Sequence, residues 1–156
     1  MYQNCEPNDK HITLHDCFAE KMYFHKGILS FLFPDGFWIL ADHPKNKSEN
    51  TVRTNASQVD FEMINDEIEN IHISIFRKNK RGHIIREDWE PADFIRAVNT
   101  GEYQIEFITK YESYQSTLFK CWVWFDKEPR HAECEIILDA KNALYYWNAL
   151  CYDRAW

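Results

Sequence analysis

The chain has 156 residues, 45% of them hydrophobic and 16% aromatic, and a formal charge of −7. That length suits one domain, 1–156, with a continuous core and no need of covalent staples. The acidity disfavours direct nucleic-acid binding, the scarcity of Gly and Pro argues against disorder, and no apolar run approaches the ~18 residues of a membrane span.

Residues 1–10 are polar, lack a charged-then-apolar leader pattern, and read as a loose N-terminal arm. From Ile12 to Phe24 apolar residues favour the even positions, which predicts a strand; Asp16 and Glu20 interrupt that face and predict a bulge or break near Cys17. A second strand runs over 28–33. Pro34-Asp35-Gly36 is a turn signal, with Pro presetting φ and Gly accepting a positive φ. Residues 37–41 are expected to pair back as a third strand, and aromatics on both faces of this hairpin imply cover on both sides.

Residues 42–55 are the one long polar loop. Alternation then predicts strands over 57–63, 71–75 and 83–87, the last two joined by the basic tip Arg77-Lys78-Asn79-Lys80-Arg81, read as a solvated hairpin end. A helix near 91–100 follows from Pro91 in its first turn, Asp93 at the positive end of the dipole and Gly101 past its end, with Phe94, Ile95 and Val98 as the buried stripe. Tyr103, Ile105, Phe107, Thr109 and Tyr111 share one face of the next strand. In the strand after it, Phe119, Cys121, Val123 and Phe125 oppose Trp122 and Trp124. Ala132, Cys134, Ile136 and Leu138 face inward in the one after that. Residues 143–152 read as a final strand after a turn signal, although Leu144, Trp147 and Cys151 fall near helical spacing. The fold class is therefore mainly β (β-rich α+β): an antiparallel meander of about ten strands forming a barrel or a curved two-sheet sandwich, with one helix.

Reactive machinery is sparse. His11, His15 and Cys17 share a strand face, but residues four apart on a strand lie ~13 Å from each other, so only His15 and Cys17 could touch one ion, with further ligands needed from residues such as His72, His83 or Cys134. The expectation is no metal and no cofactor. The five cysteines, at 5, 17, 121, 134 and 151, are odd in number and form no Cys-x-x-Cys, which reads as reduced thiols in the cytoplasm. Cys121 sits mid-strand, where a thiol is an inert core residue rather than a nucleophile. Asp16 and Glu20 could be tuned carboxylates if they shared a pocket with His15 or His72; a bulge returning them to solvent is the simpler account.

The run Cys121-Trp122-Val123-Trp124-Phe125 is the most site-like feature. If its Cys121 face is core, Trp122 and Trp124 point outward as binding anchors or lie beneath the helix or a chain end. Tyr111, Tyr114 and Trp38 complete the candidate contact residues.

The stretch HDCFAEKMYFHKGILSFLFPDGFWIL (15–40) resembles the start of small acidic bacterial domains of unknown function, some of them of toxin-immunity type. The resemblance implies a protein that neutralises another protein and carries over no individual residue. With the negative charge, surplus aromatics and no catalytic signature, the expected function is a non-catalytic binding protein whose partner is a basic protein. A barrel holding a small apolar ligand is the alternative, and an enzyme using Asp16, Glu20 or histidines a further one.

Overall fold

The computed structural model describes residues 1–156 and is mainly β, with fifteen antiparallel strands in three sheets and one helix. The five-stranded sheet has the order β1 (Asn4–Pro7), β14 (Ala140–Trp147), β8 (Ser57–Met63), β5 (Ile28–Phe33), β4 (Lys21–His25). The six-stranded sheet runs β10 (Ile84–Trp89), β9 (Ile71–Lys78), β13 (His131–Leu138), β12 (Ser116–Phe125), β11 (Tyr103–Ser113), β3 (Cys17–Ala19). A four-stranded sheet holds β15 (Leu150–Ala155), β7 (Val52–Thr54), β6 (Trp38–Ile39) and β2 (Ile12–Thr13). All three sheets have free edges, so the barrel expectation is corrected: the strands form open sheets.

The core lies between the two larger sheets and is built of rings. Phe107 meets Phe31 at 5.2 Å, Phe33 at 5.5 Å and Phe119 at 5.0 Å between centroids, and Phe61 meets Phe119 at 5.6 Å. Phe37 extends the chain of contacts to Tyr145 and Trp147 at 5.8 and 6.1 Å. Edge-to-face geometry places the positive rim of one ring on the negative face of the next, worth ~0.5–1.5 kcal/mol per pair beyond area burial. A small, partly open pocket of about 40 Å³ beside these rings is flanked by Leu14, Phe107, Phe119 and Tyr145, with room for a water or two.

Several elements differ from the sequence expectation. The turn at 34–36 does form, with the Gly36 N–H donating to Phe33 O at 3.0 Å and Gly36 at φ +76°. Yet β6 does not return to β5. The Phe37 N–H donates to Thr54 Oγ1 at 3.0 Å, which carries the chain into the small sheet, where β6 pairs with β2 and β7. The single strand expected over 12–24 is three short ones, broken at Asp16 (φ 54°) and again at Glu20; both acids are exposed. The loose arm contains β1, paired with β14 from Asn4 opposite Trp147 to Pro7 opposite Leu144. The polar loop holds β7 and three buried polar side chains, His43, Asn46 and Thr54. Asn46 Nδ2 donates to the carbonyls of Ile39, Leu40 and Asn50, which explains a buried amide in a hydrophilic stretch. Residues 143–152 fall in two strands, β14 and β15, separated by a bend at Asn148 and Ala149.

A register shift between Phe107 and Thr109 inserts Ile108 as an extra residue in β11. A bulge reverses side-chain phase beyond it. Thr109 and Tyr111, expected on the same strand face as Phe107, therefore face out opposite Lys120 and Leu118, while Lys110 turns inward opposite Phe119. There its ammonium stands beside the buried Tyr145 hydroxyl; burial raises that hydroxyl's pKa and Lys110 draws it part of the way back.

The helix, α1 (Pro91–Asn99), buries Phe94, Ala97 and Val98; Ile95, expected in the stripe, is only half-buried. Phe94 meets Trp89 and Tyr103, so α1 closes the inner side of the sheets at one end. Its last residue, Asn99, is tied to β4 by two bonds, accepting the Met22 N–H at 2.8 Å and donating to Met22 O at 2.7 Å.

Candidate functional site

The outer face of the six-stranded sheet brings together what the inner face cannot use. Cys121 and Val123 are buried, so the alternation of β12 sends Trp122 and Trp124 to the opposite side. The helix packs on the inner side, and both indoles remain half-buried on the outer one.

Registers fix their neighbours. Trp122 lies opposite Glu106 of β11 on one flank and Glu133 of β13 on the other. The same transverse row continues to Phe18 beyond Glu106, and to Phe76 and Arg86 beyond Glu133. One row along, Trp124 opposes His131, and its indole N–H donates to Glu106 Oε2 at 2.7 Å. The His131 ring touches both indoles, at 4.9 Å from Trp122 and 4.8 Å from Trp124. On the other side of the row, Lys120 Nζ donates to Glu135 at 2.9 Å, and that hydrogen bond raises the Lys120 pKa. Glu133 is exposed and makes no ion pair. A groove of about 190 Å³ runs beside Trp122, bounded by Phe76, Ile108, Lys120 and Glu133. The face therefore offers an aromatic surface with carboxylates on both flanks, a setting suited to holding a cation over an indole.

The other candidate contact residues fall elsewhere. Tyr111 is 57% exposed and shares the outer face, but its partner Leu118 stands four residues along β12 from Trp122, ~13 Å away. Tyr114, 89% exposed, sits in the turn between β11 and β12. Trp38 belongs to the small sheet, where Trp156 lies at 5.4 Å and the Arg53 guanidinium at 4.9 Å. Sequence reading missed Glu106, Glu133 and His131 as site residues. Counting back from the hairpin turn at 126–130 sets His131 and Glu133 beside the tryptophans, whereas the Ile108 bulge shifts the register of β11 by one and hides Glu106.

The carboxylates and histidines singled out earlier do not converge. Asp16 Oδ2 lies 3.4 Å from His15 Nε2, but Asp16 is exposed. Glu20, also exposed, accepts a bond from Gln104, and His72 pairs with Asp139 at 3.0 Å on another strand. His15 also stacks on Trp156 at 5.4 Å, and Cys17 is fully buried. No group of three or more His, Cys, Asp or Glu side chains is arranged to hold a metal ion.

A second cluster was not foreseen. Asp9 Oδ1 accepts from the His11 backbone N–H at 2.7 Å and lies 2.9 Å from His11 Nδ1, while its Oδ2 lies 3.1 Å from Nε2 of buried His43. The Lys45 N–H donates to His43 Nδ1 at 3.0 Å, which places the ring proton on Nε2, toward Asp9. The carboxylate oxygen sits off the N–H axis, so the contact is electrostatic rather than a well-aligned hydrogen bond. With His43 against Trp147 at 5.9 Å, the cluster pins residues 9–11 and the 43–46 turn to the core.

No family model, no curated protein and no solved structure matches the chain.

Proposed function

We propose that the chain is a non-catalytic binding protein that recognises a basic protein partner through the outer face of its six-stranded sheet. The observation that carries this reading is Trp122, half-buried on the outer face and flanked on both neighbouring strands by Glu106 and Glu133. A Lys or Arg side chain laid on that indole gains ~0.5–2 kcal/mol of cation–π attraction, and the glutamates supply the countercharge. The net charge of −7 steers a basic partner toward the protein and speeds encounter. The resemblance of residues 15–40 to immunity-type domains gives the proposal its sharper form: the partner is a basic toxin, neutralised in the cytoplasm by a stoichiometric complex.

The experiment is a low-salt pull-down from the native host with three baits: wild type, Trp122→Ala and Glu133→Lys. A basic protein held by wild type, released by added salt and absent from both variants supports the reading. Retention that is equal on all three baits, or no retained basic protein, defeats it. Both substitutions lie on the solvent side of the sheet, so circular dichroism of each variant should match wild type.

A further inference from the structure

The segment 77–93 is sorted by charge. From Arg77 to Arg86 it carries Arg77, Lys78, Lys80, Arg81 and Arg86 and no acid; from Glu87 to Asp93 it carries Glu87, Asp88, Glu90 and Asp93 and no base. Strand β10 spans the junction and is the outermost strand of the six-stranded sheet, so one side of its backbone has no strand neighbour. Its first residues are bare: Ile84 is 64% and Ile85 46% exposed, on opposite faces of the sheet.

We propose that β10 is a self-association edge, pairing antiparallel with β10 of a second copy about a two-fold axis perpendicular to the sheet. Unpaired backbone donors and acceptors along an edge are a template for a further strand, and edges that stay monomeric are usually blunted by charge. Here the charges are sorted rather than mixed. Antiparallel alignment lays the basic half of each copy along the acidic half of the other; parallel alignment would set base on base and acid on acid. Opposed residues must share a face, which restricts the register. The register centred on Glu87 sets Arg86 opposite the partner's Asp88 in both directions and Ile85 opposite the partner's Trp89. It also sets Ile84 opposite the partner's Glu90 and carries Arg81 toward the partner's Asp93.

Within one chain Arg86 Nε already holds Asp88 at 2.8 Å, with both side chains largely exposed, so pairing exchanges an internal contact for two reciprocal ones. Glu87 meets its own copy at the axis, but Arg77 Nε lies 2.9 Å from its carboxylate and offsets the repulsion. The two-fold leaves the Trp122 faces of both copies on the same side, so self-association and the proposed partner surface do not compete.

The test is sedimentation velocity of the full chain from micromolar to sub-millimolar concentration. The expected result is a concentration-dependent rise from the 18.8 kDa chain mass to twice that value, weakened by added salt. Arg86→Glu and Ile84→Glu should each weaken association by roughly tenfold or more, with unchanged circular dichroism. The exchanged pair, Arg86→Asp with Asp88→Arg, should recover it. A wild-type chain that stays monomeric throughout overturns the proposal. So does a dimer indifferent to both single substitutions, or an exchanged pair no better than Arg86→Glu.

Discussion

His43, with a side chain only 2% exposed, stands 3.1 Å from the carboxylate of Asp9, and the two hold together segments more than thirty residues apart. Burial pushes the Asp9 carboxyl up, but the bond from the His11 N–H and the neighbouring His11 and His43 rings outweigh it and bring it below the ordinary carboxylate range. A carboxyl lowered in the folded state stabilises the fold above its unfolded pKa, about 3.9, and that contribution disappears as pH falls through the folded value. Asp9→Asn should therefore cost about 1 kcal/mol at pH 6 and little at pH 2.5, read from urea unfolding at both pH values. Equal losses at both would show that charge plays no part.

Gly36 tests the turn that passes the chain between sheets. Its φ is +76°, and a Cβ there would stand 2.2 Å from Thr54 O and 2.5 Å from Asn55 O. Backbone atoms cannot yield as a flexible side chain does. Gly36→Ala should cost more than ~2 kcal/mol in urea unfolding, against about 1 kcal/mol for Gly82→Ala, where φ is also positive but nothing lies within 4 Å.

Phe107 is the ring on which both large sheets converge, touching Phe31, Phe33 and Phe119. Phe107→Ala should destabilise by ~3–5 kcal/mol, and Phe107→Leu by less, because a leucine refills part of the cavity. Equilibrium denaturation of the two variants gives the ordering directly.

The thiols divide by burial. Burial pushes Cys17 up to about 12 and raises Cys121 and Cys134 as well, while Cys5 is exposed and Cys151 half-buried. A thiol-specific reagent at pH 8 should label Cys5 and Cys151 in the native protein and reach the other three only after unfolding. Rapid labelling of Cys121 in native conditions would contradict the assignment of the outer and inner faces of β12.

Local patterns in the sequence were a good guide wherever one face is buried. The alternation in 57–63, the basic hairpin tip, and the Pro91 and Gly101 limits of the helix all correspond to observed elements. What failed was non-local. No local signal at Pro34-Asp35-Gly36 distinguishes a hairpin from a transfer between sheets; the choice is made by Thr54, which accepts the Phe37 N–H. The Ile108 bulge is invisible because every residue near it has good strand propensity, yet it decides that Lys110 faces Tyr145 and Tyr111 faces solvent. The tryptophan pair was legible, since period two separates it from Cys121. Its glutamate flanks come from neighbouring strands: Glu133 follows from the register of the turn at 126–130, but Glu106 lies beyond the Ile108 bulge and does not.

The pairing of β1 with β14 sets an order on biosynthesis. Asn4 Nδ2 donates to the carbonyl of Trp147 across 143 positions of sequence. Residues 4–7 of the nascent polypeptide must wait for a partner that leaves the ribosome more than a hundred codons later. Until then the Phe61 side of β8 lacks the neighbour that supplies Tyr145 and Trp147. Contacts this distant in sequence slow folding and leave a sticky sheet margin exposed during translation, a stage at which chaperone capture would act.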